Sequence, residues 1–124
     1  MELSDFFKGY IDSERTPVVI CNMDFKIVYI NPCAAEYYEK FGGYEMLGKS
    51  LYLYLGEEAK TKINAVIEWF KESTENNRIF AFHREEEIED VFIVALRDKN
   101  KNLIGFSSSH ECLNAYEGKK YDVS

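Results

Sequence analysis

The chain lacks most of the features that would assign it a chemistry at once. It has three cysteines, Cys21, Cys33 and Cys112. They are odd in number, far apart and without a C-x-x-C pair, which fits reduced buried thiols better than a disulfide framework or a zinc site. There are two prolines and two histidines. No apolar run approaches the length that crosses a bilayer, and Met1-Glu2-Leu3-Ser4-Asp5 carries an acid where a secretory signal carries Lys or Arg. A cytoplasmic chain with no membrane partner is expected. Basic charge is also short: 15 Lys and Arg against 22 Asp and Glu give a net charge of -7 and a pI near 4.9. Such a surface gains nothing from releasing counterions off a phosphate backbone, so nucleic acid is not an expected partner. No internal repeat, glycine loop for phosphate or close carboxylate pair is present.

What remains is an ordinary globular composition, 46% hydrophobic and 30% charged over 124 residues, enough for one domain with one core. The excess lies in aromatics. Nine Tyr, nine Phe and one Trp make 15% of the chain. That is more than packing requires, and it suggests rings around a cavity or an interface.

Leu3, Phe6, Phe7, Tyr10 and Ile11 recur at helical spacing, which predicts an amphipathic helix over residues 1–12. The β-branched run 18–21, the polar residues 22–24 and the run 26–30 read as a hairpin. Asn31-Pro32 is a strong helix start, with Asn as N-cap and Pro where no helical donor is lost. A helix over 33–40 should end before Gly42-Gly43. Residues 44–56 suggest one or two helical turns in an irregular loop. Residues 57–76 carry the longest helical signal, with Ile63, Val66, Ile67 and Phe70 as its apolar stripe. Strands follow over 78–84, 88–97 and 103–110. The expected class is α+β, a five-stranded antiparallel sheet with helices on one face, and a polar tail over 113–124.

This order resembles the PAS family, and local strings match it. Ile27-Val28-Tyr29-Ile30-Asn31-Pro32 resembles the second strand and the Asn cap of the next helix. Leu47-Gly48-Lys49-Ser50 resembles the segment after the short helices, and Ala95-Leu96-Arg97-Asp98 with Leu103-Ile104-Gly105-Phe106 resembles the last hairpin. The likeness spans residues 13–112 and is greatest to small stand-alone PAS proteins of Firmicutes-type bacteria. It implies, for members that bind small molecules, a pocket between the inner sheet face and the helical middle.

Strand alternation assigns residues to that pocket. With the turn centred on Glu86-Glu87, Arg84 lies opposite Glu89 and His83 opposite Asp90, two opposite-charge pairs that support this register. Phe80, Phe82, Val91, Ile93 and Ala95 then share one face. Phe106, Ser108 and His110 share the inner face of the last strand, while Tyr38, Leu47, Tyr52, Tyr54 and Ile67 form the helical wall. From the pooled set, the expected ligand contacts are Tyr38, Leu47, Tyr52, Tyr54, Ile67, Phe80, Phe82, Ile93, Phe106, Ser108 and His110. The outer face carries Ile79, Ala81, Phe92, Val94 and Leu96, a costly patch if exposed. The N-terminal stripe is the expected cover, on its own sheet or a partner's. The resemblance implies that such helices are a common dimer contact, so a homodimer is expected through Leu3, Phe6, Phe7, Tyr10, Ile11, Phe92 and Val94.

His110 has two readings, a ligand or iron contact in the pocket and a strand-end histidine half in water. His83 is explained by a surface pair with Asp90. Haem-binding relatives usually supply a histidine from the helical middle, and none lies between Asn31 and Arg78. The photosensory branch uses a cysteine in an Asn-Cys-Arg-Phe-type string, which is missing here. Haem and flavin are therefore disfavoured, and the ligand is unassigned. Cys33 reads either as a thiol activated by a helix N-terminus or as a packed small residue. Ser107-Ser108-Ser109-His110 places only Ser108 and His110 on one face, and no acid is assignable as a third member, so no catalytic role is expected. Glu85-Glu86-Glu87 reads as a solvated hairpin tip rather than a metal loop. The expected function is a non-catalytic sensory module that binds a small molecule and signals by associating with itself or a separate signalling protein. The alternative is a ligand-free dimerisation or docking module.

Overall fold

The computed structural model of the chain describes residues 2–86 and 88–113; the expected polar tail lies outside the described residues but for Leu113. An N-terminal helix α1 (Leu3–Ser13) leads into strands β1 (Val19–Asn22) and β2 (Ile27–Ile30), then helix α2 (Pro32–Tyr37). Three single 3₁₀ turns follow, Glu39–Phe41, Gly43–Met46 and Leu51–Tyr54, before the long helix α3 (Glu57–Glu72). Strands β3 (Arg78–Arg84), β4 (Glu89–Arg97) and β5 (Leu103–Cys112) complete one antiparallel sheet of order β2-β1-β5-β4-β3. The α+β class and the five strands are as the sequence predicts.

Asn31 joins three elements. Fully buried, it accepts at Oδ1 from the Ala34 amide at 2.8 Å, which caps α2, and from the Val18 amide at 2.9 Å, which fixes the entry to β1. Its Nδ2 donates to the carbonyls of Ile11 and Thr16 at 3.0 and 3.2 Å and so ties down the end of α1. All four hydrogen-bonding valences of the amide are thereby used.

The predicted α3 runs four residues past the observed end at Glu72. The stop is made by Arg97 at the end of β4. Its guanidinium donates to the carbonyls of Phe70, Ser73 and Asn76 at 2.7, 3.2 and 3.2 Å, while its Nε reaches Asn77 Oδ1 at 2.6 Å. A cation thus sits at the negative end of the helix, on one carbonyl of its last turn, on that of its C-cap and on one of the segment that follows.

The β3–β4 register is as predicted at the turn, with Arg84 opposite Glu89 and His83 opposite Asp90. Beyond it a bulge intervenes: Phe82 pairs with Val91, but Phe80 pairs with Phe92, leaving Ala81 as the extra residue. The bulge reverses the face assignments of β3 on its far side and leaves those of β4 as they were. Ile79 and Ala81 point to the core, and Phe80 turns outward, half exposed, with its ring edge-on to Phe92 at 5.7 Å. The carbonyl of the bulged Ala81 is taken by Lys62 Nζ from α3.

The core lies between the sheet and the helices, around Phe70, Ile27, Cys21, Met46, Ile93 and Phe106. Gly105 lets β1 approach β5 closely, since a Cβ there would stand 2.3 Å from the Cys21 carbonyl oxygen. No residue of α1 is buried. Its apolar stripe is not laid on its own sheet: Leu3, Phe6, Phe7 and Tyr10 are each at least 59% exposed. Among the described residues, no helix is long and apolar enough to cross a membrane.

Candidate ligand cavity

A cavity of about 640 Å³ opens between the inner face of the sheet and the helical middle. That volume falls in the range of small-molecule sites. Several lining residues arrive there by the periodicity of their elements. On β5, Phe106, Ser108 and His110 line the cavity from alternate positions, and Val91 and Ile93 do so on β4, opposite His110 and Ser108. Phe82 and Arg84 line it from β3, on the near side of the bulge.

The helical wall departs from the predicted one. Tyr38 and Tyr54 line the cavity, but Leu47, Tyr52 and Ile67 do not. In a 3₁₀ turn, residues three apart share a face. Leu51 and Tyr54 therefore face the cavity while Tyr52 turns away, its hydroxyl donating to Asn64 Oδ1 at 2.7 Å and its ring stacked on Phe25 at 4.8 Å. Ile67 lies one helical turn beyond Ile63, which does line the space, and is buried in the core instead. Leu47 follows the 3₁₀ turn that buries Met46, so it is left 43% exposed. Phe80 is lost to the outer face through the bulge. Of the predicted contacts, Tyr38, Tyr54, Phe82, Ile93, Phe106, Ser108 and His110 are brought together.

His110 is one of the polar groups that line the cavity. Its side chain is buried, not half in water, and Nδ1 lies 2.9 Å from Glu89 Oε1 on an equally buried carboxylate. Glu89 in turn has Arg84 Nε at 3.8 Å, and the Arg84 guanidinium lies 5.0 Å over the Tyr37 ring. The His110–Glu89 contact is the feature that reading along the chain missed. Its signal was available: Val91 is opposite His110, so Glu89, two residues away on the same face, is the diagonal neighbour. A carboxylate on one ring nitrogen orients the imidazole and fixes which nitrogen carries the proton.

The thiols are quiet. Burial pushes Cys21 up to about 12. Cys33 is also raised, by burial first and then by the charge of Glu36, the opposite of activation by a helix N-terminus. His83 lies 2.7 Å from Asp90 on the outside of the hairpin, as expected. No cluster of three or more His, Cys, Asp or Glu side chains among the described residues is placed to hold a metal.

A family model of the PAS domain matches residues 15–111. The chain belongs to the PAS family. Solved structures agree on the fold. The C-terminal domain of a Streptococcus mutans protein superposes with a TM-score of 0.70 at 14% identity, covering 89% of this chain and 84% of that one. The PAS domain of a Colwellia psychrerythraea protein gives 0.62 at 11% identity over 90% and 98% of the two chains. A sensory box sensor histidine kinase from Vibrio cholerae gives 0.56 at 15% identity over 90% and 93%. No curated protein matches the chain significantly.

Proposed function

We propose that the chain is a sensory module that takes up a small molecule between the sheet and the helical middle, without turning it over. Occupancy changes its association with itself or with a separate signalling protein. The observation that carries this reading is the 640 Å³ cavity, lined mainly by apolar and aromatic side chains with a few polar groups. Tyr38, Tyr54, Phe82, Ile93, Phe106, Ser108 and His110 are the ligand contacts. The ligand-free docking alternative requires the rings to fill this space, and Tyr52 and Phe80 lie outside it. Sensory relatives of the same fold, such as the Vibrio cholerae kinase, are consistent with the class.

The association surface is the exposed stripe of α1 with Phe92 and Val94 of the outer sheet face. Four large apolar side chains on one short helix are an unfavourable surface for a lone chain, and a second copy buries them. Native mass spectrometry of freshly purified protein, set against its denatured mass, tests both halves. A dimer that retains a non-protein mass is expected. A monomer at every concentration refutes the contact, and a protein that binds nothing from a metabolite extract refutes the sensor.

A further inference from the structure

Resting on the sensor reading, we infer the class of ligand: an apolar, aromatic molecule that donates one hydrogen bond from a hydroxyl or ring N–H to Nε2 of His110. The side chain of His110 is 3% exposed, lines the cavity, and makes its one hydrogen bond through Nδ1 to Glu89. Among the described residues, Nε2 has no protein partner. Nor is it sealed off, since among the described residues no buried side-chain nitrogen or oxygen lacks a partner. The free nitrogen therefore opens on the cavity.

Its chemistry is set from behind. A carboxylate is acceptor-only, so the neutral imidazole carries its proton on Nδ1 and presents a lone pair at Nε2. A ligand that places an ether, carbonyl or carboxylate oxygen there sets lone pair against lone pair. One that places an O–H or N–H there completes the chain ligand, His110, Glu89. Glu89 is itself held near Arg84, so the carboxylate behind the ring has its charge compensated. The rest of the lining selects the body. Rings of Tyr38, Phe41, Tyr54, Phe82 and Phe106 surround a mostly apolar space, suited to a flat aromatic skeleton.

The test uses 2-naphthol and 2-methoxynaphthalene, which share a skeleton and differ in the donor, titrated into the full chain at pH 8. Naphthol is expected to bind about tenfold more tightly, the worth of one buried hydrogen bond. In His110→Leu the ratio falls to about one. In Glu89→Gln the amide can donate to Nδ1, the ring proton moves to Nε2, and the preference for the donor is lost or reversed; a purely structural role for Glu89 weakens both ligands alike. Equal binding of the two by the unmodified chain overturns the ligand class and leaves the sensor reading standing. Failure of both to bind overturns the class and counts against an accessible cavity. If the variants do not fold, nitrogen-15 spectra of the unmodified chain decide: a bare Nε2 supports the inference, and a protonated one overturns it.

Discussion

Replacing Asn31 should be among the most damaging single changes away from the cavity. Asn31→Ala removes a helix cap, which costs about 1 kcal/mol, and leaves the Val18 amide without its acceptor, worth a further 1–3 kcal/mol where water cannot enter. The carbonyls of Ile11 and Thr16 lose a donor as well, bringing the total to about 3–5 kcal/mol. Domains of this kind are stable by about 5–15 kcal/mol, so the variant should stand at the edge of folding. Asn31→Asp isolates the donor half. It keeps an acceptor for Val18 and Ala34 but sets a carboxylate oxygen against two carbonyls, which disfavours the charged form in the folded state and raises its pKa. A raised folded pKa means stability that is present at low pH and lost as pH rises through it, so this variant should recover toward wild type as pH falls into the carboxylate range. Urea denaturation at pH 7 and pH 5 measures both. Losses under 1 kcal/mol in both variants, or an Asp variant indifferent to pH, would refute the account of Asn31 as a fully engaged joint.

Three further outcomes follow from the same physics. Arg97→Met should lower stability by about 2–4 kcal/mol by leaving the carbonyls at the end of α3 and in the segment after it without their donor, seen as a lower urea midpoint; an unchanged midpoint refutes the capping role. Gly105→Ala should prevent or severely weaken folding because its Cβ meets the Cys21 carbonyl, whereas Gly9→Ala, in open space within α1, should stabilise by about 0.5–1 kcal/mol; thermal melts of the pair reverse in sign if the reasoning holds. Iodoacetamide at pH 8 should modify the exposed Cys112 in the native protein and reach Cys21 only after unfolding, as peptide mapping by mass would show; rapid native labelling of Cys21 contradicts its burial and raised pKa.

The helices and the hairpin register were legible because local periodicity and short-range charge pairing carry them: Ile63, Val66, Ile67 and Phe70 announce α3, and Arg84 with Glu89 sets the β3–β4 turn. The bulge was not legible. Ile79-Phe80-Ala81-Phe82 alternates as smoothly as an unbroken strand, and only the pairing partner shows that Ala81 is extra. In 44–56 the short helical turns are present as expected, but the facing of Tyr52 was not legible, since Leu51-Tyr52-Leu53-Tyr54 shows no period until the backbone adopts three residues per turn. Arg97 and the His110–Glu89 pair are tertiary contacts, 20 or more residues apart in sequence, that no window along the chain contains.

The bulge at Ala81 also bears on how the chain avoids the wrong kind of company. β3 forms one margin of the sheet, where a regular strand offers its outward backbone groups as a template on which a stranger's strand can grow. Here the row is broken at its middle, its twist is altered, and the carbonyl at the break is occupied by Lys62. Growth by strand addition is obstructed along that margin, even though apolar rings stand exposed on the helix and at Phe80 beside it.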